Sequence, residues 1–349
     1  MINNQEITNI RLSDDGESVI ILDQSLLPNE TKYISLSSAQ QLYEAIYTLR
    51  VRGAPAIGIF AAYALCVLAR QTGTDDFEVF RAEIRRYSAY LGSSRPTAVN
   101  LATQLRRMEG FVERQAGRKV SQIIEEMREE ADSIYREDAA MCRAISEHGL
   151  TLIRDGYGIM TQCNAGPLAT SRYGTGLGPI ILGHELGMKL HAYICETRPL
   201  LQGARLTAFE LDKAGIDCTL ICDNMASIVM GEGKINAVFA GCDRIARNGD
   251  AANKIGTSGL AILAKHYDIP FYIFGPSTTI DMDCPTGADI EIELRKPGEI
   301  TEMFYIKPMA PANIKCYNPA FDVTKSSLIT AIVTEKGIHR PQGGSSFLF

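Results

Sequence analysis

A thiol and a carboxyl group stand out as the pair best suited to chemistry, because each directly follows a short apolar run: Cys163 comes after YGIMTQ, and Asp243 closes AVFAGCD. Such a thiol is a nucleophile or base once ionised, and such a carboxyl group exchanges protons if its neutral form is reachable near pH 7. After Cys163 the sequence NAGPLATSRYGTG reads as a glycine-permissive turn into a helix starting near Gly166. Free backbone N–H groups there would favour an anion and a thiolate. The alternative for any unpaired cysteine is a small buried side chain, and that is the reading for Cys66, Cys142, Cys195, Cys218, Cys222, Cys284 and Cys316. Asp243 could equally cap a helix or join an ion pair. Within a few residues, however, GCDRIARNGDAANKIGT also carries Arg244, Asn248, Asp250, Asn253 and Lys254, a density more typical of a site than of a turn. Arg52 in VRGAPAIG and Arg95 in SSRPTAVN stand at helix boundaries, where a guanidinium can clamp a phosphate. Singly, each is more often a surface cation.

These groups need elements to hold them. From Tyr157 the chain alternates short apolar runs (YGIMTQ, HAYICE, CTLICD, AVFAGCD, FYIFGP) with helical stretches starting near Gly166, Gly203, Asn224 and Lys254, which predicts a doubly wound, mainly parallel sheet covered on both faces. Ligands of such sheets sit beyond the carboxyl ends of the strands where strand order reverses. With the order 3-2-1-4-5-6 the first and fourth runs are neighbours, so Cys163 and Asp243 face one crevice. The earlier part is mostly helical after a short β segment from Ser18 to Tyr33, with helices over Ser38–Val51, Ala54–Arg70, Phe77–Leu91, Thr97–Arg114 and Val120–Leu150. The last of these is long enough to join two domains, residues 1–125 and 126–349. The tail is expected to add β structure at DIEIEL, a Pro-rich crossing at KPMAPAN, and a terminal helix capped by Asp322.

Composition excludes several functions. The 349 residues are 46% hydrophobic and 22% charged, as in an ordinary globular protein, and the net charge of −6 argues against nucleic acid or an anionic membrane as partner. MINNQEITNI has no signal-peptide pattern, and the apolar run Ala56–Ala69 falls short of the roughly 20 residues of a spanning helix, so it reads as buried. Nine cysteines without a secretory signal read as reduced thiols in the cytoplasm. Cys218 and Cys222 would lie ~13 Å apart on one strand and cannot share a zinc ion, so no metal is expected. GTGLGP has Pro179 where a dinucleotide fingerprint needs glycine, which rejects a nicotinamide cofactor.

The stretches VRGAPAIG, SSRPTAVN, CNAG with LATSRYGTG, ETRPLLQGARLTA, CDRIARNGDAANKIGT, YNPAFDVT and ITAIVTEKG closely resemble the S-methyl-5-thioribose-1-phosphate isomerase family, relatives of the regulatory subunits of translation initiation factor 2B. The resemblance implies a Rossmann-like catalytic domain after a smaller helical one, a homodimer, no metal or organic cofactor, and aldose-to-ketose isomerisation of 5-methylthioribose 1-phosphate in methionine salvage. It places the catalytic pair on Cys163 and Asp243 and substrate contacts on Arg52, Gly53, Ala54, Arg95, Gln202, Asn253 and Lys254. Asp243 is expected to be an acid on the ring oxygen, its neutral form favoured by burial. Cys163 would either take the C2 proton or shape an apolar site for a hydride shift. Pro167, Cys242 and GLGP depart from the family pattern, and 5-deoxyribose 1-phosphate is the alternative substrate. A sugar-phosphate or nucleotide sensor without activity is a second reading, which retention of both Cys163 and Asp243 opposes. A thiol hydrolase lacks a histidine partner, since neither His184 nor His191 sits in an orienting motif.

Overall fold

Three short antiparallel strands, β1 (Ile10–Leu12), β2 (Val19–Leu22) and β3 (Tyr33–Leu36), form where a single β segment from Ser18 to Tyr33 was expected. The structure is a computed structural model and describes residues 8–96 and 98–341; most of the amino-terminal stretch read for targeting signals, and Thr97, the expected start of the fourth helix, lie outside the described residues. By packing, the chain divides into two units, one running to Ala140 and including Pro167–Arg172, the other made of Met141–Gly166 and the chain from Tyr173 onward.

In the first unit the helices follow from their patterns. Ser38 and Gln41 form a capping box that opens α1 (Ala39–Tyr47). Next comes α2 (Ala54–Arg70), whose residues from Ala56 to Ala69 are all buried. A helix apolar all round must be central, and α2 is. Asp76 accepts from two backbone N–H groups to start α3 (Phe77–Gly92), and α4 (Val99–Glu113) follows. The long α5 (Val120–Leu150) buries Ile123, Met127, Ala131 and Ile134 in this unit's core, and its later residue Ile145 in the core of the second. Along this helix the packing changes units between Ala140 and Met141, later than the 125/126 division read from the sequence.

The second unit runs β4 (Gly158–Gln162), α6 (Gly178–Glu185), β5 (His191–Cys195), α7 (Ala208–Lys213), β6 (Cys218–Ile221), α8 (Ala226–Gly231), β7 (Ala237–Gly241), β8 (Arg244–Ala246), β9 (Ala251–Lys254), α9 (Thr257–His266), β10 (Phe271–Phe274), β11 (Ile280–Asp281), β12 (Phe321–Thr324), β13 (Ala331–Thr334) and β14 (Gly337–His339). The main sheet has the order β14-β13-β10-β7-β4-β5-β6, parallel except for β14. Its parallel strands thus follow the expected 3-2-1-4-5-6 order. Alternate residues serve opposite faces: Met160, Val238, Ala240 and Ile273 enter one core, and Ile159, Phe239, Tyr272 and Phe274 the other.

Four expectations are corrected. No helix starts near Gly166; Pro167–Ala169 makes one 3-10 turn and α6 begins only at Gly178. The backbone-dipole argument for a thiolate at Cys163 therefore has no long helix behind it. GCDRIARNGDAANKIGT, expected only as a polar strand exit before a helix near Lys254, forms the antiparallel pair β8–β9 in a second sheet ordered β11-β8-β9-β12, with α9 following at Thr257. DIEIEL forms no strand, only a single bridge from Leu294 to Pro319. Finally, Asp322 lies in β12, and among the described residues no α-helix follows it, only a 3-10 turn over Ser326–Leu328. Its carboxylate instead accepts from Gly256 N–H (2.8 Å) and Ser258 N–H (3.0 Å), capping α9 from across the sheet.

Candidate active site

The reversal of strand order falls between β4 and β7, which pair in register with Gln162 opposite Ala240. Cys163 therefore leaves one strand beside the point where Gly241, Cys242 and Asp243 leave its neighbour. Glycines make this close packing possible: a Cβ on Gly241 would press on Ala165 at 2.9 Å, and one on Gly176 on the Gly241 nitrogen at 3.2 Å.

Cys163 is 7% exposed and adopts a left-handed backbone, φ +64°. For a residue with a Cβ this costs ~1–3 kcal/mol and persists only where surroundings enforce it. Here its N–H donates to Thr197 Oγ1 (2.9 Å), while its carbonyl accepts from Thr207 Oγ1 (2.7 Å). Asn164 Nδ2 donates to Thr207 Oγ1 (3.2 Å) and to the buried Glu210 carboxylate. The chain after β5 provides these hydroxyls through an unusual path: Thr197 and Leu201 both have positive φ, and Gly203–Thr207 is a π turn leading into α7. A Cβ on Gly203 would run into the Cys195 carbonyl, so this approach requires glycine. Gln202, just before the π turn, is buried, and among the described residues its Oε1 accepts no hydrogen bond.

Asp243 is half-buried rather than enclosed, and its N–H donates to the Ala252 carbonyl (2.9 Å), which fastens it to β9. Burial, with the Asp243 charge beside it, pushes the neighbouring Cys242 thiol well up and keeps it protonated. Of the polar groups expected around Asp243, several have structural duties. Arg244 pairs with Asp281. Asp250 accepts from Ser326 N–H (2.8 Å), Gly287 N–H (3.1 Å) and Lys325 Nζ (3.3 Å). Burial works against that carboxylate's charge, but these bonds and the Asn248 side chain prevail and hold its pKa below the usual range. Lys254 and Asn253 lie on β9. Lys254 Nζ donates to Ala320 O (2.8 Å) over the Phe321 ring, and Asn253 Nδ2 donates to Thr257 Oγ1 (3.0 Å). The turn after them is tied to β4, since Gln162 Nε2 donates to Ile255 O (3.0 Å). Cys163, Gln202 and Asp243 thus follow the carboxyl ends of β4, β5 and β7, while Asn253 and Lys254 lie on β9, to which Asp243 is tied through Ala252.

Arg52, Gly53, Ala54 and Arg95 belong to the first unit. Gly53 (φ +99°) is the N-cap of α2, Ala54 its first residue, and Arg52 directly precedes them. A Cβ on Gly53 would overlap Ala169, so only glycine fits. Arg95 is half-buried in the turn before α4. One turn into α2, a Cβ on Gly58 would press on the Asn100 carbonyl at 3.1 Å, so the two helices begin side by side. Neither has a side-chain cap. Two uncapped helix starts flanked by Arg52 and Arg95 suit an anion.

Sequence reasoning gave no role to Thr197, Thr207, Asn164 or Glu210. The signal lay in ETRPLLQGARLTA, but it is read only once β5 is known to neighbour β4. Among the described residues no group of three or more His, Cys, Asp or Glu side chains is arranged to hold a metal ion. Nor is any described helix long and apolar enough to cross a membrane.

Comparison with known proteins places residues 50–341 in a match to the initiation factor 2 subunit family. A methylthioribose-1-phosphate isomerase of Symbiobacterium thermophilum is 57% identical over 97% of this chain and 94% of its own. A 5-deoxyribose 1-phosphate isomerase of Petrotoga mobilis is 53% identical over 94% of each. Among solved structures, 5-methylthioribose 1-phosphate isomerase from Pyrococcus horikoshii superposes with a TM-score of 0.90 at 37% identity, covering 98% of this chain and 95% of that one.

Proposed function

We propose that this chain, which belongs to the initiation factor 2 subunit family, is a sugar-phosphate isomerase converting 5-methylthioribose 1-phosphate to 5-methylthioribulose 1-phosphate, as in methionine salvage. The observation that carries the proposal is the exit of a buried thiol and a half-buried carboxyl group from neighbouring strand ends at the reversal of the sheet. Near-full-length identity of 57% to a protein of that name supports the substrate.

The anomeric oxygen of this substrate is esterified, so the ring cannot open to a free aldehyde and must be opened with acid assistance. Asp243 gives a proton to the ring oxygen as the C1–O bond breaks, leaving C1 as an oxocarbenium bearing the phosphate ester. Hydrogen then moves from C2 to C1. In one route Cys163 removes the C2 proton, an enol forms, C1 is reprotonated, and Asp243 takes the proton of the enol hydroxyl as the C2 ketone forms. In the other, hydride passes directly while Asp243 takes the proton of the C2 hydroxyl and the C2 ketone forms. Arg52 and Arg95, with the N–H groups of Gly53 and Ala54, are assigned to the phosphate. The unpartnered Gln202 Oε1 is assigned to a sugar hydroxyl, with Asn253 and Lys254 beside it. We assign a cytoplasmic location, supported by nine cysteines none of which is in a disulfide, and a homodimer, supported by family resemblance.

Turnover of 5-methylthioribose 1-phosphate by the purified protein tests the proposal; binding without turnover would instead indicate a sensor. Reaction in deuterium oxide separates the routes, since solvent label on C1 of the product supports the enol. The 53% identical relative named for 5-deoxyribose 1-phosphate favours that sugar as a second substrate. An apolar pocket distinguishes a single methylene by ~1–3 kcal/mol, and a methylthio group is larger than that, so the specificity constants of the two sugars should differ by at least about 10-fold.

A further inference from the structure

The backbone of Cys163 is gripped at both polar atoms by side chains to which neither the sequence motifs nor the comparisons assign a role. Each hydroxyl has one proton, and the bonds fix where it goes. Thr197 Oγ1 donates to Cys195 O (3.0 Å), so towards Cys163 N–H it can only accept. Thr207 Oγ1 donates to Cys163 O and accepts from Asn164 Nδ2. Two chains of fixed polarity thus meet on one peptide residue, and both threonines are fully buried. Neither is exposed to solvent at all, and their hydroxyls are occupied by the protein itself.

The path of the chain serves this grip. Thr197 has φ +67° and is pinned by Asp223, whose carboxylate accepts from Thr197 N–H (2.8 Å) and Arg198 N–H (2.7 Å). Thr207 closes a π turn, in which Ala208 N–H reaches back to Gly203 O. The extra residue in such a turn redirects the side chains that follow, and π turns of this kind are concentrated at functional sites. Threonine also restricts its own χ1, so each hydroxyl is held in one direction.

We infer that Thr197 and Thr207 are positioning residues that hold the Cys163 thiol in its reactive placement by clamping a left-handed backbone from both sides. The inference rests on the assignment of Cys163 to the chemistry, and the test keeps the two apart. Thr197→Val and Thr207→Val remove the hydroxyls at nearly constant volume; Thr197→Ser and Thr207→Ser keep them. For each, kcat and KM are measured with 5-methylthioribose 1-phosphate, and alkylation of Cys163 by iodoacetamide is followed from neutral to alkaline pH by peptide mass. The valine variants should lose about 100-fold in kcat with KM changed by less than about threefold, as displacement of a reacting group by about 1 Å implies. Their alkylation profile should shift, and the serine variants should recover both. Valine variants with wild-type kcat and alkylation, or serine variants as impaired as valine, would overturn the inference. If the valine variants do not fold, the alanine variants are held to the same thresholds. Full activity in Cys163→Ser would remove the assignment of the thiol, while the alkylation profile would still decide whether the hydroxyls set its placement.

Discussion

The ends of β4 and β7 lie side by side in one sheet, yet they present their reactive groups by opposite means. After β4 the chain turns into a strained conformation at Cys163, where side-chain hydroxyls from beyond β5 grip its N–H and carbonyl. After β7 the chain runs on into the β8–β9 pair, so Asp243 is fixed by a backbone bond to Ala252 and by the hairpin that follows. A strained thiol position depends on a few remote atoms. A carboxyl group on a hairpin depends on a ladder, and the ladder on its anchor.

The comparison makes its largest prediction where the groups themselves are changed. Cys163→Ser and Asp243→Asn should each lower kcat by at least about 100-fold, in the range of an essential general acid or base, with unaltered circular dichroism. Near-normal activity in either would remove that residue from the chemistry. Gly203→Ala strikes the support of the β4 end, because the added methyl meets the Cys195 carbonyl. Overpacking against backbone should cost ~1–3 kcal/mol in urea unfolding and reduce kcat as well. A variant of wild-type stability would show that the π turn can relax, and that the β4 end is less constrained than its geometry indicates.

Asp250→Asn tests the anchor of the other end. It replaces a buried carboxylate bonded by Ser326, Gly287 and Lys325, and should cost ~2 kcal/mol at neutral pH. The folded pKa is depressed, so the wild-type advantage is full above the unfolded carboxyl value near 3.8 and disappears as pH falls through the folded value. Unfolding curves of the two proteins should therefore converge in acid; a constant gap would point to packing rather than charge. The smallest effect is expected for Cys242→Ala. That thiol is half-buried, held protonated and turned towards Phe274 O (3.5 Å), so kcat should stay within about twofold. A larger loss would mean that the β7 end is tuned by its neighbour after all.

Much of the architecture could be read from order along the chain. The strand runs from Tyr157 onward, the full burial of Ala56–Ala69 and the placing of Cys163 and Asp243 at neighbouring strand ends follow from hydrophobic period and from the topology of parallel sheets, which are local or general properties. The β8–β9 hairpin was hidden because AANK and RIA are too short and too mixed for a period to show. Asp322 was given the right duty on the wrong helix, since a carboxylate caps whichever N–H groups the fold delivers, and here those of α9 arrive from far away in sequence.

Apolar periodicity and strand succession are written along the chain, so the strands of the main sheet and the residue types at their ends were legible in it, while the strand order came from the common doubly wound pattern. Only the tertiary structure decided the left-handed turn at Cys163, the two threonines that hold it and the hairpin that carries Asp243. Those depend on hydrogen bonds between residues far apart in the sequence, and no local preference encodes such a bond until the sheet has brought its partners together.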